Sequence, residues 1–358
     1  MLSVLHVLSS LSLGGAERVA LDLARFQRKQ NIDAQILSFG HEDDFLVESV
    51  RFSKVPFHID SDDTIRIRRY MRLLRLIRKF DVLHIHSRGA FKFIGPLFLL
   101  LRMSGVRIIY TRHGLLADKT LDLKILYRLL RPFISYVTFV TERGKEVFSL
   151  NHSWNPEKLL VVHNGIELPV NASEKAGSRP IRFGSVGRME RVKSQLSLLD
   201  AVKLLDEVPA DEKAPLVLRF FGEGPLESEL KAKSGEIKDT KIEFCGQQPD
   251  LEKLYREIDV LVVVSESEGL SMAILEAMSR GIPVIATDVG GNPTLVRNKE
   301  TGILLKEQDS RSISDAIVWF LKNPAMIEIY GKNARSIVGA EFSLESTHEK
   351  YLESYKAR

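Results

Sequence analysis

The sequence predicts two α/β domains in tandem, each a doubly wound, Rossmann-like parallel sheet. Three observations carry that expectation. Short β-rich runs alternate with helical patterns from end to end. The runs are continuously apolar, as strands covered by helices on both faces must be, and do not alternate as a half-solvated sheet would. At 358 residues the chain is also longer than one hydrophobic core ordinarily serves.

The strand candidates of the first half are LSVLHVLSS (2–10), AQILSFG (34–40), DVLHIHS (81–87), RIIYTRHG (107–114), YVTFVTE (136–142) and LLVVHNG (159–165). Those of the second half are IRFGSVG (181–187), LVLRFFGEG (216–224), KIEFCG (241–246), DVLVVVSE (259–266), PVIATDVG (283–290) and GILL (302–305). Helical stretches such as AERVALDLARFQRK supply the crossovers. Residues 166–180, IELPVNASEKAGSRP, break the rhythm and read as a linker. The expected division is 1–168, 178–335 and a C-terminal helix over 336–358 that packs back on the first domain.

In such sheets ligands bind beyond the carboxyl ends of the strands. The conspicuous polar residues fall at those ends: Gly14-Gly15, His86, His113, Asn164, Gly187-Arg188, Gly222-Glu223-Gly224 and Glu268. The expectation is two rims facing each other across a cleft.

Composition narrows the classes. Apolar content of 44% and charged content of 27% are those of a globular protein, and a net charge of +4 gives no general polyanion binder. The average conceals an asymmetry. Residues 1–170 hold 25 Lys+Arg against 17 Asp+Glu, whereas the remainder holds 26 against 30. The two halves therefore face different partners. The single cysteine, Cys245, reads as a small buried hydrophobe. The N-terminus lacks a basic leader and reads as strand and loop. The longest apolar run, FIGPLFLLL at 93–101, is too short to span a bilayer.

Two stretches carry chemistry. In GSVGRMERVKSQ a strand ends at Gly187, Arg188 follows, and Lys193 comes as the next helix begins. A glycine that admits a close ligand, free helix N–H groups and two cations make a phosphate site; the alternative is a surface loop with an ordinary Arg and Lys. In SESEGLSMAILEAMSRGIPV, Gly269 permits a sharp turn after Glu268, and Ser271 is the expected N-cap of a helix ending near Gly281. Amides of Leu270 and Ser271 then suit an anion. Glu268 at the mouth and Glu276 inside an apolar helix suit the diols of a sugar nucleotide, since a buried carboxylate needs a polar partner. A solvated helix start is the other reading.

Glu268-x7-Glu276 within EGLSMAILEAMSRGIPVIATDVGG, together with GSVGRMERVK, FFGEGP and the N-terminal GGAER, resembles the retaining glycosyltransferases of family 4, which have the GT-B fold. The resemblance spreads over nearly the whole chain with the motifs in order. It implies that Arg188 and Lys193 hold the donor diphosphate, Glu276 the nucleotide ribose and Glu268 the transferred sugar. It further implies that Gly15 approaches the diphosphate from the first domain and that His113, in TRHG, lies near the reacting centre; a core or capping histidine is the alternative there. Leu270-Ser271 stands where the family often has Phe-Gly, and Thr294 stands where it often has Glu. No metal is expected, because Arg188, Lys193 and helix amides neutralise the leaving group. Asp60-Ser61-Asp62 reads as an acidic loop and not as a metal-holding D-x-D. No carboxylate is placed as a nucleophile for double displacement, so front-face transfer is the expected retaining route.

The expected partners are a nucleotide-sugar donor, UDP being the family's commonest, and a glycan or lipid-linked acceptor in polysaccharide or glycolipid assembly. The expected location is cytoplasmic. RIRRYMRLLRLIRKF at 66–80 sets Ile67, Tyr70, Met71, Leu74 and Ile77 on one helix face and Arg68, Arg69, Arg72, Arg75 and Lys79 on the other. Such a helix suits the anionic inner face of a membrane, or it is an ordinary crossover helix with a wet side. Its wide apolar face and few aromatics do not suit nucleic acid. A nicotinamide oxidoreductase is disfavoured, because SSLSLGGAER lacks G-x-G-x-x-G and the second strand ends LSFG without an acid. A sugar-nucleotide epimerase or hydrolase, or a non-catalytic sugar-nucleotide binder, remain the alternatives.

Overall fold

The computed structural model of the chain describes residues 1–12, 14–61, 66–115, 121–169, 180–208 and 215–356. The chain divides into two units, Met1–Gly165 with Leu344–Arg358, and Ile166–Ser343. The second unit extends to Ser343, beyond the expected border at 335, because Ala325–Glu341 is one continuous helix whose Ile327 and Tyr330 enter the second unit's core.

The first unit holds a seven-stranded parallel sheet. Its strands are β1 (Ser3–Leu8), β2 (Asp33–Ser38), β3 (Phe57–Ile59), β4 (Val82–Ile85), β5 (Arg107–Arg112), β6 (Tyr136–Phe139) and β7 (Leu159–Val161). They lie in the order β3-β2-β1-β4-β5-β6-β7. The apolar runs foretold six of them. The edge strand β3 follows Pro56 and has three residues, too few to show a period.

Successive β1 side chains serve opposite layers. Leu5 and Val7 pack with Leu73, Ile77, Phe91, Phe98 and Tyr127 from one helical layer. Val4 and Leu8 pack with Ala20, Leu23 and the tyrosines of the C-terminal helix Leu344–Lys356. Fully burying a leucine-sized side chain contributes about 1.5–3 kcal/mol. Leu344, Tyr351 and Tyr355, all buried, therefore anchor that last helix beside Gly15–Lys29.

The second unit holds a six-stranded parallel sheet built from β8 (Ile181–Val186), β9 (Leu216–Phe221), β10 (Lys241–Phe244), β11 (Val260–Val263), β12 (Val284–Thr287) and β13 (Gly302–Leu305). The order is β10-β9-β8-β11-β12-β13. In both sheets the strand order reverses once, between β1 and β4 and between β8 and β11. Those switch points are where a doubly wound sheet opens its crevice.

Two expectations change. Cys245 is exposed, because it follows the edge strand β10 and only its backbone turns inward, to Phe220 O at 2.8 Å. The apolar face of helix Arg66–Ile77 is divided: Leu73 and Ile77 are buried, whereas Ile67 and Met71 stay exposed. FIGPLFLLL folds as a helix to Ile94, a 3-10 turn Gly95–Leu97 and a helix Phe98–Met103. Among the described residues no helix is long and apolar enough to cross a membrane.

Candidate functional site

In the second unit the chain leaves β8 through Gly187, whose φ of 146° a side-chain-bearing residue rarely adopts. Gly222 (φ 129°) and Gly224 then come against it. A Cβ on Gly222 would lie 2.1 Å from Gly187 O, and one on Gly224 would lie 2.5 Å from Met189 O. The glycines of FFGEGP therefore let two strand-end turns touch backbone to backbone, which fixes the turn bearing Arg188.

Lys193 closes the 3-10 turn Arg191–Lys193, which leads into the helix Gln195–Lys203. Glu266 N donates to Val192 O at 2.8 Å, tying this turn to the chain beyond β11. There Lys193 Nζ lies 2.7 Å from Glu268 Oε1, which also accepts from Ser265 Oγ at 2.7 Å. The switch point of the second sheet thus joins two predicted site residues, each reached by its own turn. Arg188 pairs with Glu190 and remains 63% exposed, so it is the freer cation.

Gly269, Leu270 and Ser271 lead into the helix Met272–Ser279. Ser271 is the extended N-cap but caps no amide with its side chain. Gly269 O accepts from Gly291 N at 2.8 Å, which holds the turn in place. Glu276 is buried at 7% exposure, and Tyr255 Oη donates to its Oε2 at 2.8 Å. Sequence reasoning missed Tyr255, Ser265 and Glu190, which orient the three charged groups. Their signals are weak, because each is an ordinary residue made relevant by the fold.

The first unit gathers histidines at its own switch point. His6 of β1 and His84 of β4 are register partners. His84 and His86, two apart in LHIHS, turn to the same side, a signal legible in the sequence. His6 Nδ1 lies 2.9 Å from His86 Nε2, and His86 Nδ1 lies 3.2 Å from His113 Nε2. Burial pushes His6 and His113 down to about 4 and holds His84 and His86 well below the ordinary histidine value. His6, His84 and His86 have ligand atoms within 4.8 Å of one another. All six of their ring nitrogens already hold protein partners. Gly15 is exposed as the first residue of the helix Gly15–Lys29. Asn164 is buried.

Asp60 is buried between Arg69 Nε and Arg72 Nη2, each at 2.8 Å, which makes it an ion-pair anchor; Asp62 lies outside the described residues. The helices that cover this face leave Ile67, Met71, Leu99, Met103, Ile125 and Leu129 exposed among Arg68, Arg75, Arg102 and Arg128. Beside them a cavity of about 350 Å³ is lined by Lys124, Arg128, Arg131, Tyr127 and Trp154.

Residues 171–337 match the family described as Glycosyl transferases group 1, and residues 13–169 match Glycosyltransferase Family 4. Among curated proteins, the UDP-Gal:alpha-D-GlcNAc-diphosphoundecaprenol alpha-1,3-galactosyltransferase of Escherichia coli is 26% identical over 99% of this chain and 96% of its own. The phosphatidyl-myo-inositol mannosyltransferase of Mycobacterium leprae is 26% identical over 88% and 86%. Among solved structures, Anabaena Alr3699/HepE in complex with UDP and glucose superposes with a TM-score of 0.83 at 18% identity, covering 100% of both chains. A mutant of S. aureus TarM superposes with a TM-score of 0.84 at 12% identity over the same coverage. At these identities the structural likeness speaks for the fold, which is GT-B, with two parallel-sheet α/β units.

Proposed function

Since the chain belongs to the family 4 glycosyltransferases, we propose that it moves a sugar from a UDP-sugar to a glycan or lipid-linked acceptor, with retention and without a metal. The observation that carries this reading is the contact of Lys193 with Glu268 at the second sheet's switch point. A cation and an acid joined there suit a phosphate and a sugar hydroxyl bound side by side.

The donor diphosphate takes Arg188, Lys193 and the amides at Leu270–Met272 as its partners, at the start of the helix Met272–Ser279. To do so it competes with Glu268 for Lys193 and with Glu190 for Arg188. Glu268, released, accepts from the transferred sugar, and Glu276, oriented by Tyr255, accepts from the ribose. Gly15 is assigned to the diphosphate and His113 to a hydroxyl of the reacting sugar. In the transfer the bond from the anomeric carbon to the phosphate oxygen breaks. The acceptor oxygen bonds to that carbon on the same face, and the acceptor's proton passes to the departing phosphate oxygen. Cations and helix amides aimed at the developing negative charge lower the barrier.

The E. coli and M. leprae relatives are named for a diphosphoundecaprenol and a phosphatidylinositol substrate. That, with the exposed apolar residues and cations of the first unit, supports a lipid-linked acceptor met at an anionic membrane surface on the cytoplasmic side. The cavity lined by Lys124, Arg128 and Arg131 offers such a lipid's phosphate three cations.

The test is calorimetric titration with a panel of nucleotide sugars, repeated on Arg188→Ala and Glu276→Ala. UDP-sugars are expected to bind best, with at least tenfold weaker binding to each variant. Unchanged affinity in either removes that residue from the site. Product analysis with and without acceptor separates a transferase from an epimerase or hydrolase.

A further inference from the structure

We propose that Tyr355 and Gln27, acting through His6 and His86, hold His113 in the tautomer that keeps its proton on Nε2 and offers Nδ1 as a hydrogen-bond acceptor to a substrate hydroxyl. The proposal rests on the assignment of His113 made above, and it adds the residues that position it.

The direction of the chain follows from its far end. Tyr355 Oη lies 2.7 Å from His84 Nδ1 in a buried pocket. A phenol is a much stronger acid than a neutral imidazole N–H, so the hydroxyl is the donor. His84 then carries its proton on Nε2 and donates to Thr111 Oγ1 at 2.7 Å. With its own proton committed, Tyr355 Oη can only accept from Gln27 Nε2 at 3.3 Å. That turns Gln27 Oε1 toward His6 Nε2, 2.8 Å away, and an amide oxygen can only accept.

Each further bond is then determined. Burial keeps the four rings neutral at pH 7, so each has one donor and one acceptor nitrogen. His6 donates from Nε2 to Gln27 and accepts at Nδ1. His86 therefore donates from Nε2 at 2.9 Å and accepts at Nδ1 from His113 Nε2 at 3.2 Å. His113 is left with a lone pair on Nδ1. That nitrogen is buried and has no partner among the described residues. An unmade hydrogen bond at a buried acceptor is costly, and a hydroxyl donor relieves it. Rotating the Gln27 amide by half a turn would reverse every bond and present Nδ1–H instead, a group that repels a donor. Tyr355, from the last helix of the chain, excludes that state.

The experiment is long-range ¹⁵N–¹H correlation of histidine-labelled full-length protein at pH 7, with steady-state kinetics of the same samples. In the unaltered protein His6, His84, His86 and His113 should all read as neutral Nε2–H tautomers. In Tyr355→Phe, which removes one oxygen, His113 should become a mixture of tautomers. There kcat should fall about tenfold, with KM for the donor within about twofold. A His113 protonated on Nδ1 in the unaltered protein overturns the proposal, whatever the variant does. So does a Tyr355→Phe spectrum and kcat identical to the parent. A stoichiometric divalent metal in native mass spectra, lost from His6→Asn, overturns it in favour of a three-histidine metal site. Correct tautomers with a fully active His113→Ala would leave the chain standing and overturn the assignment of His113 to substrate. Scrambled tautomers with an inactive His113→Ala would do the reverse.

Discussion

Lys193 and Arg188 differ in how far each is committed to the fold. Lys193 is paired with Glu268, a carboxylate 10% exposed, whereas Arg188 reaches Glu190 from a side chain 63% exposed. Exposed pairs contribute about 0–1 kcal/mol, while stranding a part-buried carboxylate costs more. Lys193→Ala should therefore lower stability by about 1–2 kcal/mol and Arg188→Ala by less than about 0.5 kcal/mol, read by denaturant titration. Both should weaken donor binding at least tenfold. Equal stability losses would show that the Lys193–Glu268 contact is as loose as the exposed one. Tyr255→Phe removes one hydrogen bond from Glu276 and should weaken donor affinity about fivefold, since such a bond is worth about 1 kcal/mol net. If calorimetry finds affinity unchanged, Glu276 is not held for the donor by that phenol.

The elements that bring these residues together are turns at strand ends, and glycine sets their geometry. Ala in place of Gly224 would bring its Cβ to 2.5 Å from Met189 O and 2.7 Å from Met189 N, backbone atoms that cannot swing aside. Overpacking of this kind costs about 1–3 kcal/mol. Gly224→Ala should lower the melting point of the second unit and, by displacing the turn that carries Arg188, weaken donor binding about tenfold. A variant that melts lower yet binds UDP normally would show the two turns to be uncoupled. Strands β1, β4 and β5 supply the other element-scale prediction. His6 and His113 titrate at about 4 in the fold and near 6.5 when unfolded. Between those values the unfolded chain binds more protons, so stability is present above about pH 6.5 and drains as pH falls toward 4. Each group accounts for about 3 kcal/mol across that window at 1.36 kcal/mol per pH unit. Melting temperature followed from pH 7 to pH 4.5 should fall, and His6→Asn should reduce the slope by about one proton. An unchanged slope would mean that His6 is not held neutral.

Across the whole molecule, the sequence made legible what repetition and pattern encode. The apolar runs gave twelve of the thirteen strands described, and Gly15, His86, Arg188 and Glu268 fell at the two switch points, because a buried parallel strand and its polar exit are local properties. What escaped is long-range. Tyr255 meets Glu276 from 21 residues away, and Tyr355 meets His84 from 271 residues away, so no window of sequence holds either pair. The divided face of Arg66–Ile77 was hidden for a related reason: periodicity gives one apolar stripe, and only packing decides which part of it is covered. That division sharpens what the charge asymmetry means. Arg69 and Arg72 are tied to Asp60, so they hold the fold, and replacing them would test folding as much as lipid contact. Arg68 and Arg75 are exposed on the same helix, near Ile67 and Met71. A cation at an anionic surface contributes about 1 kcal/mol, so Arg68→Gln with Arg75→Gln should weaken binding to phosphatidylglycerol vesicles about thirtyfold. Because a screened surface attraction is at work, the loss should shrink as salt rises toward 1 M. Co-sedimentation measures both effects, and circular dichroism confirms that the pair leaves the fold intact. Unaltered partitioning at low salt would remove this helix from the membrane contact and leave the excess positive charge of residues 1–170 to be explained by the acceptor alone.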